Sequence, residues 1–105
     1  MPRHLLALIK RETISNPNSG DKEHRASLSL TDTQGSDFGG PRYFTGYDEV
    51  GKRLQAEANV PYGAINDRKP LFENGRPVRL WIAVEDEDIA NLGFDPNMSK
   101  QEAAT

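Results

Sequence analysis

The chain of 105 residues carries 13 Lys and Arg against 16 Asp and Glu, for a net charge of −3, and has no cysteine. That length holds one domain with a modest core, and the missing thiols exclude disulfides, thiolate metal sites and a cysteine nucleophile. The mild charge gives no general attraction to nucleic acid, and no apolar run nears the roughly 20 residues that a membrane helix needs.

Residues 4–15 open with Leu5-Leu6-Ala7-Leu8-Ile9 and continue through Thr13 and Ile14. The β-branched residues favour a strand. The apolar run is short for a signal-peptide core, and no small-residue cleavage site follows it, so the expected location is the cytoplasm. Asn16 to Asp21 is a dense turn cluster. Ala26, Leu28 and Leu30 then alternate with Ser27, Ser29 and Thr31, the period of a strand with one wet face. These two segments are expected to form an antiparallel hairpin.

Thr33 to Gly46 is an irregular, glycine-rich stretch that also holds Phe38, Tyr43 and Phe44. A helix is predicted from Thr45, where Thr45 and Asp48 have the spacing of a capping box. Tyr47, Val50, Leu54 and Ala58 would form its apolar stripe, and Pro61 stops it near Asn59. Pro70–Glu73 and Arg76–Val84 flank Asn74-Gly75, a pair that predicts a second hairpin. In its second strand Val78, Leu80, Ile82 and Val84 take one face, and Arg79, Trp81 and Ala83 the other. Glu85 to Asp88 opens a short helix with Ile89 and Leu92, closed by Gly93. The predicted class is α+β, in the order ββαββα: an antiparallel sheet of about four strands, with the main helix on one face and a short C-terminal helix. The domain spans 1–94, followed by a flexible tail at 95–105.

Few residues suggest chemistry. Gly46 to Lys52 matches the first seven positions of a phosphate-binding P-loop, but Arg53 stands where Ser or Thr should meet a magnesium ion. Two carboxylates, Asp48 and Glu49, would also sit where phosphates belong. His4 and His24 are the only histidines. Pairing Ser15 with His24 would separate them by roughly 36 Å, at about 3.3 Å per strand residue, so they share no metal. The acids at 85–88 lack the spacing of a calcium loop and read as a complement to a helix N-terminus. No catalytic residue, metal or cofactor is expected.

Trp81 is the strongest candidate for contact, because strand alternation points it away from the aliphatic face and beside Arg79. The opposing possibility is a sheet covered on both sides, with Trp81 in the core. Arg42, Tyr43 and Phe44 beside the glycine-rich loop form a second candidate contact. Together these residues predict a non-enzymatic module that binds another protein, such as an accessory subunit or an inhibitor of the small kind phages encode. Self-association through a strand edge is a variant. One alternative is a nucleic-acid binder that stacks bases on sheet aromatics, with Lys10, Arg11, Arg25, Arg42 and Arg79 meeting phosphates. Another is a small enzyme using Asp32 or Asp37.

Overall fold

A computed structural model describes residues 2–98. Its centre is one four-stranded antiparallel sheet in the order β3-β2-β1-β4, built from β1 (Arg3–Ser15), β2 (Lys22–Thr31), β3 (Arg42–Phe44) and β4 (Val78–Val84). Four helices join them: α1 (Tyr47–Ala58), α2 (Tyr62–Asn66), α3 (Lys69–Glu73) and α4 (Asp86–Asn91). The α+β class and the sheet size match the sequence reading. The order ββαββα does not hold, because the elements run βββαααβα.

Two segments account for the difference. The fourth strand is Arg42–Phe44 from the glycine-rich stretch, which pairs with Ala26–Leu28. The expected strand at Pro70–Glu73 is instead helix α3, with Pro70 in its first turn, where a missing N–H costs nothing. Asn74-Gly75 therefore makes no hairpin. A type I′ turn needs positive φ at both residues, but Asn74 has φ −81° and only Gly75 is left-handed, at +81°. The Gly75 N–H reaches the Phe72 carbonyl and the Arg76 N–H reaches that of Leu71, a Schellman closure of the helix. Gly93, at φ +96°, closes α4 in the same way, with the Phe94 N–H on Ile89 and its own on Ala90.

All the helices cover one face of the sheet. Leu5, Ala7 and Ile9 of β1 lie opposite Ile82, Leu80 and Val78 of β4. On the other side Ala7 and Ile9 meet Leu30 and Leu28 of β2. Against them α1 places Val50, Leu54 and Ala58, and α4 places Ile89, all buried. Tyr47 is buried too: its ring lies 4.5 Å from that of Phe72, and its hydroxyl donates to the Ile65 carbonyl. This ties α1 to α2 and α3. Burial raises the Tyr47 pKa, and the charge of Arg68 opposes that rise.

The start of α1 differs from expectation. Gly46 is its N-cap and no side chain caps it, so the Thr45–Asp48 capping box is absent. The third strand runs to Phe44 and the chain leaves it extended through Gly46, which shifts the helix start past Thr45. The end is as predicted, with Asn59 left-handed at φ 55°. Helix α4 has a true capping box between Glu85 and Asp88.

Beyond the reach of its neighbours, the β1–β2 hairpin continues alone. Strand β4 pairs only as far as Ile9, and β3 only as far as Ala26. Glu12–Ser15 and Lys22–Arg25 thus form a two-stranded arm ending in the Asn16–Asp21 turn. The glycine-rich stretch folds back onto the sheet. Asp32 accepts the N–H groups of Gln34 and Ser36, and the Phe38 N–H reaches the Leu30 carbonyl. The Phe38 side chain is then 1% exposed, under the guanidinium of Arg3 at 4.9 Å. Of the expected tail, 99–105 lies outside the described residues, and at its start Pro96 offers its carbonyl to Arg3 at 2.9 Å. No helix among the described residues is long and apolar enough to cross a membrane.

Phe38→Ala should cost about 3–5 kcal/mol, as expected for emptying a buried aromatic site. Urea denaturation followed by circular dichroism measures it. A loss below about 1 kcal/mol would show that the loop does not seal the core.

Candidate functional site

The pleat sends alternate side chains to the face that carries no helix. Three cross-strand rows follow from the register. Trp81, Leu6 and Thr31 form one; Arg79, Leu8 and Ser29 form the next; Lys10, Ser27 and Tyr43 form the third. Trp81 is 59% exposed and Tyr43 53%. Leu6 and Leu8 are half-buried between them. Trp81 is therefore on the surface, not in the core. The face is an apolar strip of Trp81, Leu6, Leu8 and Ala83, bordered by Arg79, Lys10 and Tyr43. Tyr43 lies three strand spacings from β4, roughly 14 Å away across the sheet.

The structure brings together Tyr43, Arg79 and Trp81, but not Arg42 and Phe44. Those two stand opposite Leu28 and Ala26, on the helix side. Phe44 packs against the core. Arg42 donates its Nε to the Gly93 carbonyl at 2.5 Å, with its guanidinium 5.0 Å from the centre of the Phe94 ring. Once Arg42–Phe44 is a strand, alternation separates the three side chains. Leu6 and Leu8 are members of the face that the sequence reading left out. Their signal was present: five consecutive apolar residues in a strand put aliphatic groups on both sides.

Other candidates resolve into structural roles. Gly46–Lys52 is the start of α1 and forms no phosphate cradle. Gly51 instead lets the Tyr62 ring approach, since a Cβ there would meet it at 3.2 Å. His24 pairs with Thr13, not Ser15, and bonds the Thr13 hydroxyl through Nδ1. It remains roughly 30 Å from His4 at the usual strand rise. Asp32 holds its turn, and Asp37 accepts from the Thr31 hydroxyl at 3.3 Å. Among the described residues no three His, Asp or Glu side chains gather as metal ligands do. A shallow groove of about 550 Å³ lies where β3 stops and β2 runs on, lined by Glu23, His24, Arg25, Tyr43, Phe44 and Thr45.

Against known proteins the chain matches no family model, no curated sequence and no solved structure.

Two substitutions separate surface from scaffold. Trp81→Ala should change unfolding stability by no more than about 0.5 kcal/mol, because the indole is exposed. Arg42→Ala should cost about 1–2 kcal/mol, because the Gly93 carbonyl loses a charged donor. Thermal unfolding of both variants checks the contrast, and equal losses would contradict the assignment of faces.

Proposed function

We propose that the protein is a non-enzymatic binding module that docks onto another protein through the helix-free face of its sheet. The carrying observation is the exposed indole of Trp81 beside Leu6 and Leu8, bordered by Arg79, Lys10 and Tyr43. Trp, Tyr and Arg around an apolar centre are the residue types that dominate binding energy at protein interfaces. An apolar strip with a cationic border suits a partner with an apolar centre and acidic flanks. In this reading the protein acts in the cytoplasm as a small accessory subunit or inhibitor, of the kind phages encode.

A second reading draws on one feature. Two exposed aromatics, Tyr43 and Trp81, share a face with Lys10 and Arg79, an arrangement that can stack bases and meet phosphates. The net charge of −3 weighs against it.

One experiment decides between them. Wild type and Trp81→Ala are used side by side to capture binding partners from the native cell, with and without nuclease. The proposal expects a protein retained by wild type, lost with Trp81→Ala, and indifferent to nuclease. Retention that vanishes on nuclease treatment and falls steeply with salt supports the nucleic-acid reading. Identical recoveries on the two proteins exclude this face as the contact.

A further inference from the structure

Strand β4 ends the sheet, so one of its sides has no partner strand. Which groups it leaves open can be read from a single hydrogen bond. Arg68 donates Nη1 to the Arg79 carbonyl at 3.1 Å, so that carbonyl points away from β1. In an antiparallel strand a residue's N–H and C=O point the same way, and alternate residues point alternately. Trp81 and Ala83 therefore also direct their main-chain N–H and C=O groups to the open side, and both residues are exposed. Arg68 blunts the edge at Arg79 and goes no further. An uncovered edge of this kind is a template for another strand.

The charges along β4 specify the occupant. At its start lie Arg76 and Arg79, with Arg68 bonded to the strand itself. At its end the chain runs Glu85-Asp86-Glu87-Asp88, where Asp86 meets Arg3 and Glu85 and Asp88 cap α4, and the four acids together leave this end negative. A second β4 laid antiparallel sets each basic end against the other's acidic end. Centring the two-fold axis on Ile82 pairs Trp81 with Ala83 of the second copy, and Arg79 with its Glu85. In that register Trp81 and Ala83 face each other as a hydrogen-bonded pair, so every open group on these residues finds a partner. The Arg79 carbonyl keeps Arg68.

We propose that the protein forms a symmetric dimer by antiparallel pairing of β4 with β4 of a second copy, joining two sheets into one continuous sheet. The interface is isologous and uses the strand edge, leaving the helix-free face open. It is therefore independent of the partner-docking proposal, and either can fail alone.

The test is sedimentation equilibrium of the full chain over a range of concentrations, together with amide hydrogen exchange. Wild type should show a reversible monomer–dimer equilibrium, with the Trp81 and Ala83 amides slowing in exchange as the dimer forms. Ala83→Pro removes an edge-facing N–H without cutting a bond to β1. It should raise the dimer dissociation constant by at least about tenfold, since both symmetric Ala83 bonds go. A protein that stays monomeric at every concentration overturns the proposal. So does a dimer that Ala83→Pro leaves unchanged. Should that variant fail to fold, exchange in wild type decides: a dimer with Trp81 and Ala83 still exchanging freely overturns the pairing.

Discussion

Leu5, Ala7 and Ile9 of β1 lie opposite Ile82, Leu80 and Val78 of β4, and Ala7 and Ile9 are flanked on their other side by Leu30 and Leu28 of β2. This double register sets which side of the sheet becomes interior. Because side chains alternate with a period of two, a slip of one residue would turn these three outward and bring Leu6, Leu8 and Lys10 in. Lys10 would then be buried without a counter-charge, which is costly. The apolar stripe of α1 fits only the observed register. The helix-free face is thus a product of the same pairing that makes the core.

Arginines do much of the remaining tethering, through main-chain carbonyls. Arg53 takes the Asn91 carbonyl at 2.6 Å, Arg42 that of Gly93 and Arg3 that of Pro96. Three separate elements thereby hold the segment that leaves α4. Arg11 does the same for Glu73 at the end of α3, and Arg68 for Arg79. Neither α3 nor α4 has a basic residue in its own last turn, so distant guanidinium groups serve carbonyls that the helices leave open. A guanidinium suits this role because it keeps its charge at any ordinary pH and offers several donors in a fixed plane. Arg11, Arg53 and Arg68 hold these carbonyls while their side chains stay exposed, and Arg42 does so half-buried.

What the sequence made legible was periodicity. The alternation in Ala26–Thr31 and Val78–Val84, and the stripe in Tyr47–Ala58, assigned strands, a helix and the face that Trp81 shares with Arg79, but not whether that face is covered. What it hid depended on distant contacts. Arg42-Tyr43-Phe44 has only three residues as a strand and becomes one by pairing with β2. Asn74-Gly75 carries the chemistry of two different turns, and the choice falls to the burial of Phe72 and Ile65 beside α1. Gly93 was read correctly because the amphipathic turn before it was unambiguous, although Gly75 ends its helix with the same bonds. Of the candidate contact residues, Tyr43, Arg79 and Trp81 share a face, while register, invisible in the sequence, sends Arg42 and Phe44 to the other side.

The two-stranded arm beyond Arg11 and Ala26 bears on how the molecule comes apart. Its residues bury little, and Arg11 at its base bonds the end of α3. An isolated hairpin in water is marginal by itself. By that reasoning the arm should open and close as a small cooperative unit while the sheet's centre stays folded, at a free energy below that of full unfolding. Strand β1 then crosses two regimes within one element: a first half locked at the stability of the whole domain, and a second half that breathes.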